Sequence, residues 1–177
     1  MARKVGLLPL YTGQLKRTPL GDLWLAASPN GLAAVDWAPN ELAFEEYLTR
    51  RFKRPLEKDP ARLEQISVEL NEFLHRKLKI FSLPIDWSLL RPFQLAVLKV
   101  THAIPYGETR TYGQIALEIG RPTAARAVGR AEATNPMPLV IPCHRVIGAD
   151  GKLHGYGGGQ GLPTKEWLLK MEGAFMA

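Results

Sequence analysis

The chain has 177 residues, 46% of them hydrophobic, and a formal charge of +6. That is enough apolar material for one compact unit or two small domains sharing an interface, and the basic balance favours a polyanionic partner such as nucleic acid. The single cysteine, Cys143, excludes an intramolecular disulfide and any zinc site built on two or more thiolates.

An unpaired thiol suits a reducing compartment, and the chain reads as soluble and cytoplasmic. The opening "MARKVGLLPLYTG" is basic and then briefly apolar. Pro9 breaks its apolar run and no small-residue cleavage pattern follows, so it does not read as a signal peptide. No apolar stretch approaches the length of a membrane span. Before Trp87 there are 13 basic and 11 acidic side chains, and after it 10 and 6, so the second half is the more basic.

The first half reads as mixed α/β. "TPLGDLWLAASPNGLAAVDW" (18–37) holds two apolar runs around Pro29-Asn30-Gly31 and predicts a hairpin. Residues 41–53 predict a helix with charged faces. In "DPARLEQISVELNEFLHRKLK" (59–79), Leu63, Ile66, Leu70, Phe73 and Leu74 recur at helical spacing, with Asp59 as N-cap and Pro60 at the first helical position. His75 falls on the charged side of that helix and reads as a surface residue. The proline-punctuated "FSLPIDWSLLRPF" (81–93) marks a boundary, dividing the chain into residues 1–86 and 87–177.

The second half is helical. "RPFQLAVLKVTHAI" (91–104) carries Phe93, Val97, Val100 and Ile104 along one stripe, with His102 on the exposed side. "PYGETRT" (105–111) is a turn, "YGQIALEIG" (112–120) a short helix closed by Gly120, and "RPTAARAVGRAEA" (121–133) a second helix beginning at Pro122. Two short helices meeting at a glycine-proline joint form a helix-turn-helix candidate. Ala124, Ala125, Ala127, Gly129 and Ala131 leave the second helix nearly bare, with Arg126 in its middle. Such a face either packs closely in a core, with Arg126 in a surface ion pair, or enters a narrow groove of a partner.

"NPMPLVIPCHRVIG" (135–148) sets Cys143 beside His144 in an apolar strand. Neighbours on an extended strand point to opposite faces, so the two meet only through a turn at Pro142 or a bridging water. The imidazole can take the thiol proton if a carboxylate orients its far nitrogen. No acid lies within four residues of His144, so that carboxylate must come from elsewhere. These residues alone fit a core cysteine, a cysteine hydrolase or another activated thiol.

"IPCHRVIG" (141–148) resembles the alkyl-acceptor motif of the O6-alkylguanine-DNA alkyltransferases. "PYGETRTYGQIA" (105–116), "ARAVG" (125–129), "NPMPLVIPCHRVIG" (135–148), "GYGGG" (155–159) and "KEWLLKMEG" (165–173) follow that family's order at nearly its spacing, over about half the chain. The resemblance implies a small ribonuclease H-like N-terminal α/β domain and a mostly helical C-terminal domain with a winged-helix-like helix-turn-helix. It implies irreversible, single-turnover transfer of the alkyl group from O6-alkylguanine in duplex DNA, and from O4-alkylthymine, to Cys143, with no cofactor; some relatives carry zinc in the N-terminal domain through cysteines and histidines, and with no cysteine there this chain is expected to lack that metal site.

The roles follow residue by residue. Cys143 would be the nucleophile, His144 its base through a water, and Glu172 the missing carboxylate. Asn135 would brace the turn before the active-site strand. Tyr112 would donate a proton to the departing guanine and crowd a phosphate. Arg126 would fill the space left by the extruded nucleotide, on a minor-groove face of Ala125, Ala127 and Gly129. Pro138, Val146, Tyr156 and Gly157 would line the base pocket. Gly157 stands where family members often carry serine, and Glu132, near the end of the recognition helix, would point away from DNA, paired with Arg130 or another base. The partner is duplex DNA and not a membrane; the protein acts as a monomer, with cooperativity along DNA left open. A lesion sensor without repair would replace Cys143, a hydrolase would turn over and ignore DNA, and a helix-turn-helix regulator would need polar readers that the bare face lacks.

Overall fold

The structure is a computed structural model that describes residues 7–174. The first six residues of the N-terminal segment weighed above as a signal peptide lie outside the described residues. Strands β1 (Leu10–Thr18), β2 (Gly21–Ser28) and β3 (Gly31–Asp36) form an antiparallel meander. β4 (Leu56–Lys58) joins β1 in parallel, giving the order β3-β2-β1-β4. The β2–β3 hairpin turns at Pro29-Asn30 as expected. β1 and β4 were not foreseen. β1 lacks alternation, with Leu10, Tyr11 and Thr12 all buried, and β4 is three residues long and exists by pairing with β1.

Helix α1 (Glu41–Phe52) starts at Asn40, whose side chain accepts from the Ala43 amide at 2.9 Å. It sets Phe44 and Leu48 on one face of the sheet, against Ala26, Ala33 and Ala34. Those small residues let the helix approach closely. The opposite face carries Leu23, Leu25, Leu32 and Val35. These pack with Ile66, Leu70 and Phe73 of α2 (Glu64–Leu74) and join one core that includes Val97, Val128, Val146 and Leu168 of the second half.

The long helix expected over 59–79 is shorter. Pro60–Leu63 is a 3-10 turn, and Asp59 makes no capping bond but holds Arg62 at 3.2 Å. The helix stops at Leu74 because Arg76 adopts φ 62 and the Lys77 amide turns back to the Glu72 carbonyl. His75 is exposed, as expected, with Nδ1 2.8 Å from the Asn71 carbonyl.

In the second half α3 (Pro92–His102) buries Val97 and Leu98, and His102 is exposed. α4 (Tyr112–Glu118) follows the two-residue β5 (Arg110–Thr111) and opens with a capping box between Thr111 and Gln114. α5 runs Ala125–Ala133 and not from Pro122, because residues 121–124 form a turn in which the Ala124 amide reaches the Arg121 carbonyl. α4 and α5 make the helix-turn-helix. β6 (Val146–Ile147) pairs in parallel with β5, and α6 (Leu162–Glu172) closes the fold. Among the described residues no helix is long and apolar enough to cross a membrane.

The free edge of β3 ties the halves together. Its Leu32 amide donates to Pro84 O at 2.8 Å, and its Val35 amide donates to Pro136 O at 2.9 Å. An edge strand left open invites misplaced pairing, and here chain from the linker and the cysteine-bearing segment covers it. Gly31 makes the first approach feasible: its φ is +134, and a Cβ there would lie 2.5 Å from Pro84 O. Gly31→Ala therefore costs roughly 2–4 kcal/mol from backbone strain and displaced linker, measured as a fall in the urea midpoint at constant slope.

Candidate active site

Residues 135–142 form a buried irregular segment that delivers Cys143. Asn135 organises it. Its Nδ2 donates to Ile141 O at 2.9 Å and its Oδ1 accepts from the Met137 amide at 3.0 Å, so one side chain closes the loop from both ends. Leu139 is forced to φ 74, a conformation costly for a side-chain-bearing residue, and is held there by burial. Cys143, His144 and Arg145 then form a 3-10 turn, not the strand expected from the sequence; only Val146–Ile147 is extended. The turn brings all three side chains into the interior.

Glu172 is the centre of the arrangement. Its Oε1 lies 2.8 Å from His144 Nε2 and accepts from Arg145 Nη2 at 2.9 Å. Its Oε2 accepts from Arg145 Nε at 2.9 Å and from the Gly107 amide at 3.1 Å. Burial acts to raise the Glu172 pKa, but the hydrogen bonds from His144 and Arg145 outweigh it and hold the carboxyl at about 2. Arg145 also donates to Ile104 O at 2.6 Å.

An ionised Glu172 fixes the imidazole tautomer, with the hydrogen on Nε2 and Nδ1 left as an acceptor. That Nδ1 is buried without a partner among the described residues. Burial lowers the His144 pKa against the pull of Glu172. The Cys143 thiol is pushed up to about 12 by burial and by the Glu132 charge, opposed by a hydrogen bond from Asn135. At neutral pH burial thus favours the neutral form of both the thiol and the imidazole.

Cys143 opens on a cavity of about 40 Å³. Pro138 and Gly157 line it, with Val35, Trp37 and Tyr47 from the N-terminal half and Glu132 from α5. Val146 does not: it is fully buried, and its carbonyl accepts from Lys165 Nζ at 2.6 Å. Tyr156 is not part of this lining; its hydroxyl is buried and has no partner among the described residues. No side chain fits at Gly157 in this conformation, because a Cβ would lie 2.7 Å from Ala133 O.

Tyr112, Ala125, Arg126 and Gly129 line a separate open groove of about 510 Å³, with Ala133, Gly148 and His154 among its other walls. Arg126 and Ala127 are exposed, and Arg126 makes no ion pair with any described residue. A Cβ on Gly129 would meet only the Tyr112 ring, at an ordinary 3.8 Å, so nothing inside the protein demands glycine there. Ala131, read from sequence as part of the bare face, is buried beside Val128 on the core side. Glu132 points inward but pairs with neither Arg130 nor another base; its partner is the Thr101 hydroxyl. The Tyr112 hydroxyl reaches His154 O at 3.4 Å.

Two residues escaped the sequence reading. Arg145 is the bidentate partner of Glu172, and its signal was adjacency to His144 in a tight turn. Lys165 is fully buried with its ammonium on Val146 O and His154 O. Its signal was helical spacing, since Lys165, Leu168, Leu169 and Glu172 share one face of α6.

The description 6-O-methylguanine DNA methyltransferase, DNA binding domain, matches residues 92–174, and its ribonuclease-like domain matches residues 10–87. The chain belongs to the 6-O-methylguanine DNA methyltransferase family. Among its relatives, a methylated-DNA–protein-cysteine methyltransferase of Methanosarcina barkeri is 41% identical over 155 residues, spanning 88% of this chain and 92% of that one. The like-named protein of Shigella flexneri is 40% identical over 162 residues, with the same coverage. The crystal structure of Mycobacterium tuberculosis OGT in complex with DNA aligns with a TM-score of 0.74 at 38% identity, over 94% of each chain.

Within this family fold the Glu172 hub has a measurable signature. Glu172→Gln leaves Arg145 buried without a counter-ion and costs about 3–5 kcal/mol at pH 7. The ordinary carboxyl value is 4.5 and the folded value about 2, so the stability from ionised Glu172 is fully present above pH 4.5 and lost as the pH falls to 2. Urea unfolding across that window should show the gap between wild type and Glu172→Gln closing.

Proposed function

We propose that this protein repairs duplex DNA by accepting the alkyl group of O6-alkylguanine on Cys143, once per molecule, with O4-alkylthymine as a second substrate. The observation that carries the reading is the pairing of two features. A lone buried thiol with an oriented His144–Glu172 pair lies next to a helix whose other face is bare, exposed and centred on Arg126, which has no ion pair among the described residues.

The alkyl carbon on guanine O6 lies within the stacked duplex, so a thiol buried in a protein meets it only after the nucleotide leaves the stack. Unstacking costs a few kcal/mol, offset in part by Arg126 filling the gap while Ala125, Ala127 and Gly129 lie in the minor groove. His144 takes the Cys143 proton on Nδ1, through a water. The sulfur lone pair attacks the alkyl carbon, and the carbon–O6 bond breaks with its electrons moving to guanine. Tyr112 turns from His154 O to protonate the base, and the imidazolium proton restores the tyrosine. The thiol hydrogen is exchanged for the alkyl group, and one proton ends on guanine. Because the resting pair is neutral, the thiolate forms only as its target arrives. The thioether has no good leaving group, which makes the reaction stoichiometric.

Pro138, Tyr156, Gly157 and the backbone around Val146 would hold the base. The cavity is far smaller than a purine, so its walls must move apart to admit the base. The division at residues 86 and 87 is part of the proposal, supported by the two domain descriptions ending at 87 and beginning at 92. We also propose that it acts as a monomer in the cytoplasm, whose reducing milieu suits the unpaired thiol.

Incubation with a duplex carrying O6-methylguanine should add one methyl to Cys143 by intact mass, with yield capped at one per protein. Absence of an adduct, or multiple turnover, rejects the proposal. Arg126→Ala should slow reaction with the duplex by at least tenfold while sparing reaction with free O6-benzylguanine. An equal loss on both substrates removes the wedge role.

A further inference from the structure

Glu132 is the carboxyl group that the mechanism leaves unused. It is 6% exposed near the end of α5 and lines the same small cavity as Cys143. Its Oε1 contacts the Thr101 hydroxyl, and its Oε2 has no partner among the described residues. Thr101 Oγ1 also lies 3.1 Å from the Val97 carbonyl, one turn earlier on α3. A hydroxyl has one hydrogen, and a carbonyl can only accept. Both contacts are satisfied together when Thr101 donates to Val97 O and Glu132 donates from a protonated Oε1.

The surroundings agree. Lys165 is the near cation, but its ammonium is engaged by Val146 O and His154 O and forms no ion pair with Glu132. A buried carboxylate without a contacting cation is costly. The other groups facing it or its cavity are Cys143, Tyr112 from α4, and Asp36 and Tyr47 from the N-terminal half; none carries positive charge. Burial pushes the Glu132 pKa up to about 7, against the Thr101 contact and the Lys165 charge.

We propose that Glu132 is a positioning residue for the thiol: as a neutral acid it lets Cys143 ionise when the alkyl group arrives, and once ionised it holds Cys143 protonated. The negative charge would share a cavity of about 40 Å³ with the forming thiolate, and like charges so placed oppose each other strongly. Alkyl acceptance is then limited on the alkaline side by loss of a proton from Glu132. The role of the thiol rests on the function proposed above; the effect of Glu132 on its ionisation does not.

The test uses the full chain, whose single cysteine makes every adduct assignable. Rates of iodoacetamide addition to Cys143 are followed by intact mass from pH 5.5 to 9.5 in wild type, Glu132→Gln and Asp36→Asn. The ratio of Glu132→Gln to wild type should be near one at pH 5.5 and rise to about tenfold at pH 9, equivalent to about one unit in the thiol pKa. A ratio independent of pH, or removal of the alkaline suppression by Asp36→Asn instead, overturns the proposal. Should Glu132→Gln fail to fold, carboxyl carbon NMR of the wild type decides: a Glu132 midpoint near 7 supports the proposal and one below 5 overturns it. Repeating the series with free O6-benzylguanine separates the two readings. The expected iodoacetamide profile without benzyl transfer would reject the alkyl-acceptor function and leave Glu132 as described.

Discussion

The second half is organised around one buried carboxylate. Glu172 accepts from His144, twice from Arg145 and once from the Gly107 amide, so both oxygens are saturated. Three pieces of chain with no common secondary structure thereby converge: the end of α6, the 3-10 turn at Cys143 and the loop before β5. A buried ion pair is weak evidence for stability in general, because desolvation cancels much of the attraction. Here the pair has a geometric purpose. It fixes which nitrogen of His144 bears the hydrogen, and it holds the turn that places Cys143 at its cavity.

The same low-dielectric interior explains the reserve of the thiol. Burial raises the Cys143 pKa and lowers that of His144, so the two do not exchange a proton at rest. A thiolate standing ready would invite oxidation and indiscriminate alkylation. Under the proposed function, chemistry is deferred to the moment when a reactive carbon and its leaving group complete the site. The cost is slower intrinsic reactivity, which suits the single transfer proposed for this thiol.

Much of this was legible in the sequence where local chemistry dominates. Pro29-Asn30-Gly31 gave the hairpin, Gly120 the end of α4, and the ordered motifs tied Cys143 and His144 to a carboxylate 28 residues away. The misreadings share a cause. Pro122 has the chemistry of a first helical residue, but the Arg121 amide returns to Ala116 O and delays the helix to Ala125. The 141–148 run looked like a strand because it is apolar, whereas its backbone is bent by a bond from the Cys143 amide to Ile141 O and by Asn135 from outside. β4 is invisible because its pairing partner is more than forty residues away. Glu132 and Lys165 are ionisable side chains that local pattern assigns to the surface, and tertiary packing encloses both.

The bond from the Val35 amide to the Pro136 carbonyl joins residues about a hundred positions apart, and it has a consequence in time. Contacts of such separation are slow to form because a long loop must close first. A nascent chain emerges from its N-terminus at about 5–20 residues per second. The β3 edge therefore waits, already laid down, for several seconds before the segment that carries the cysteine appears. Synthesis order therefore makes the Val35–Pro136 bond a late event, and the face of the sheet that shares its core with the second half is fully covered only then.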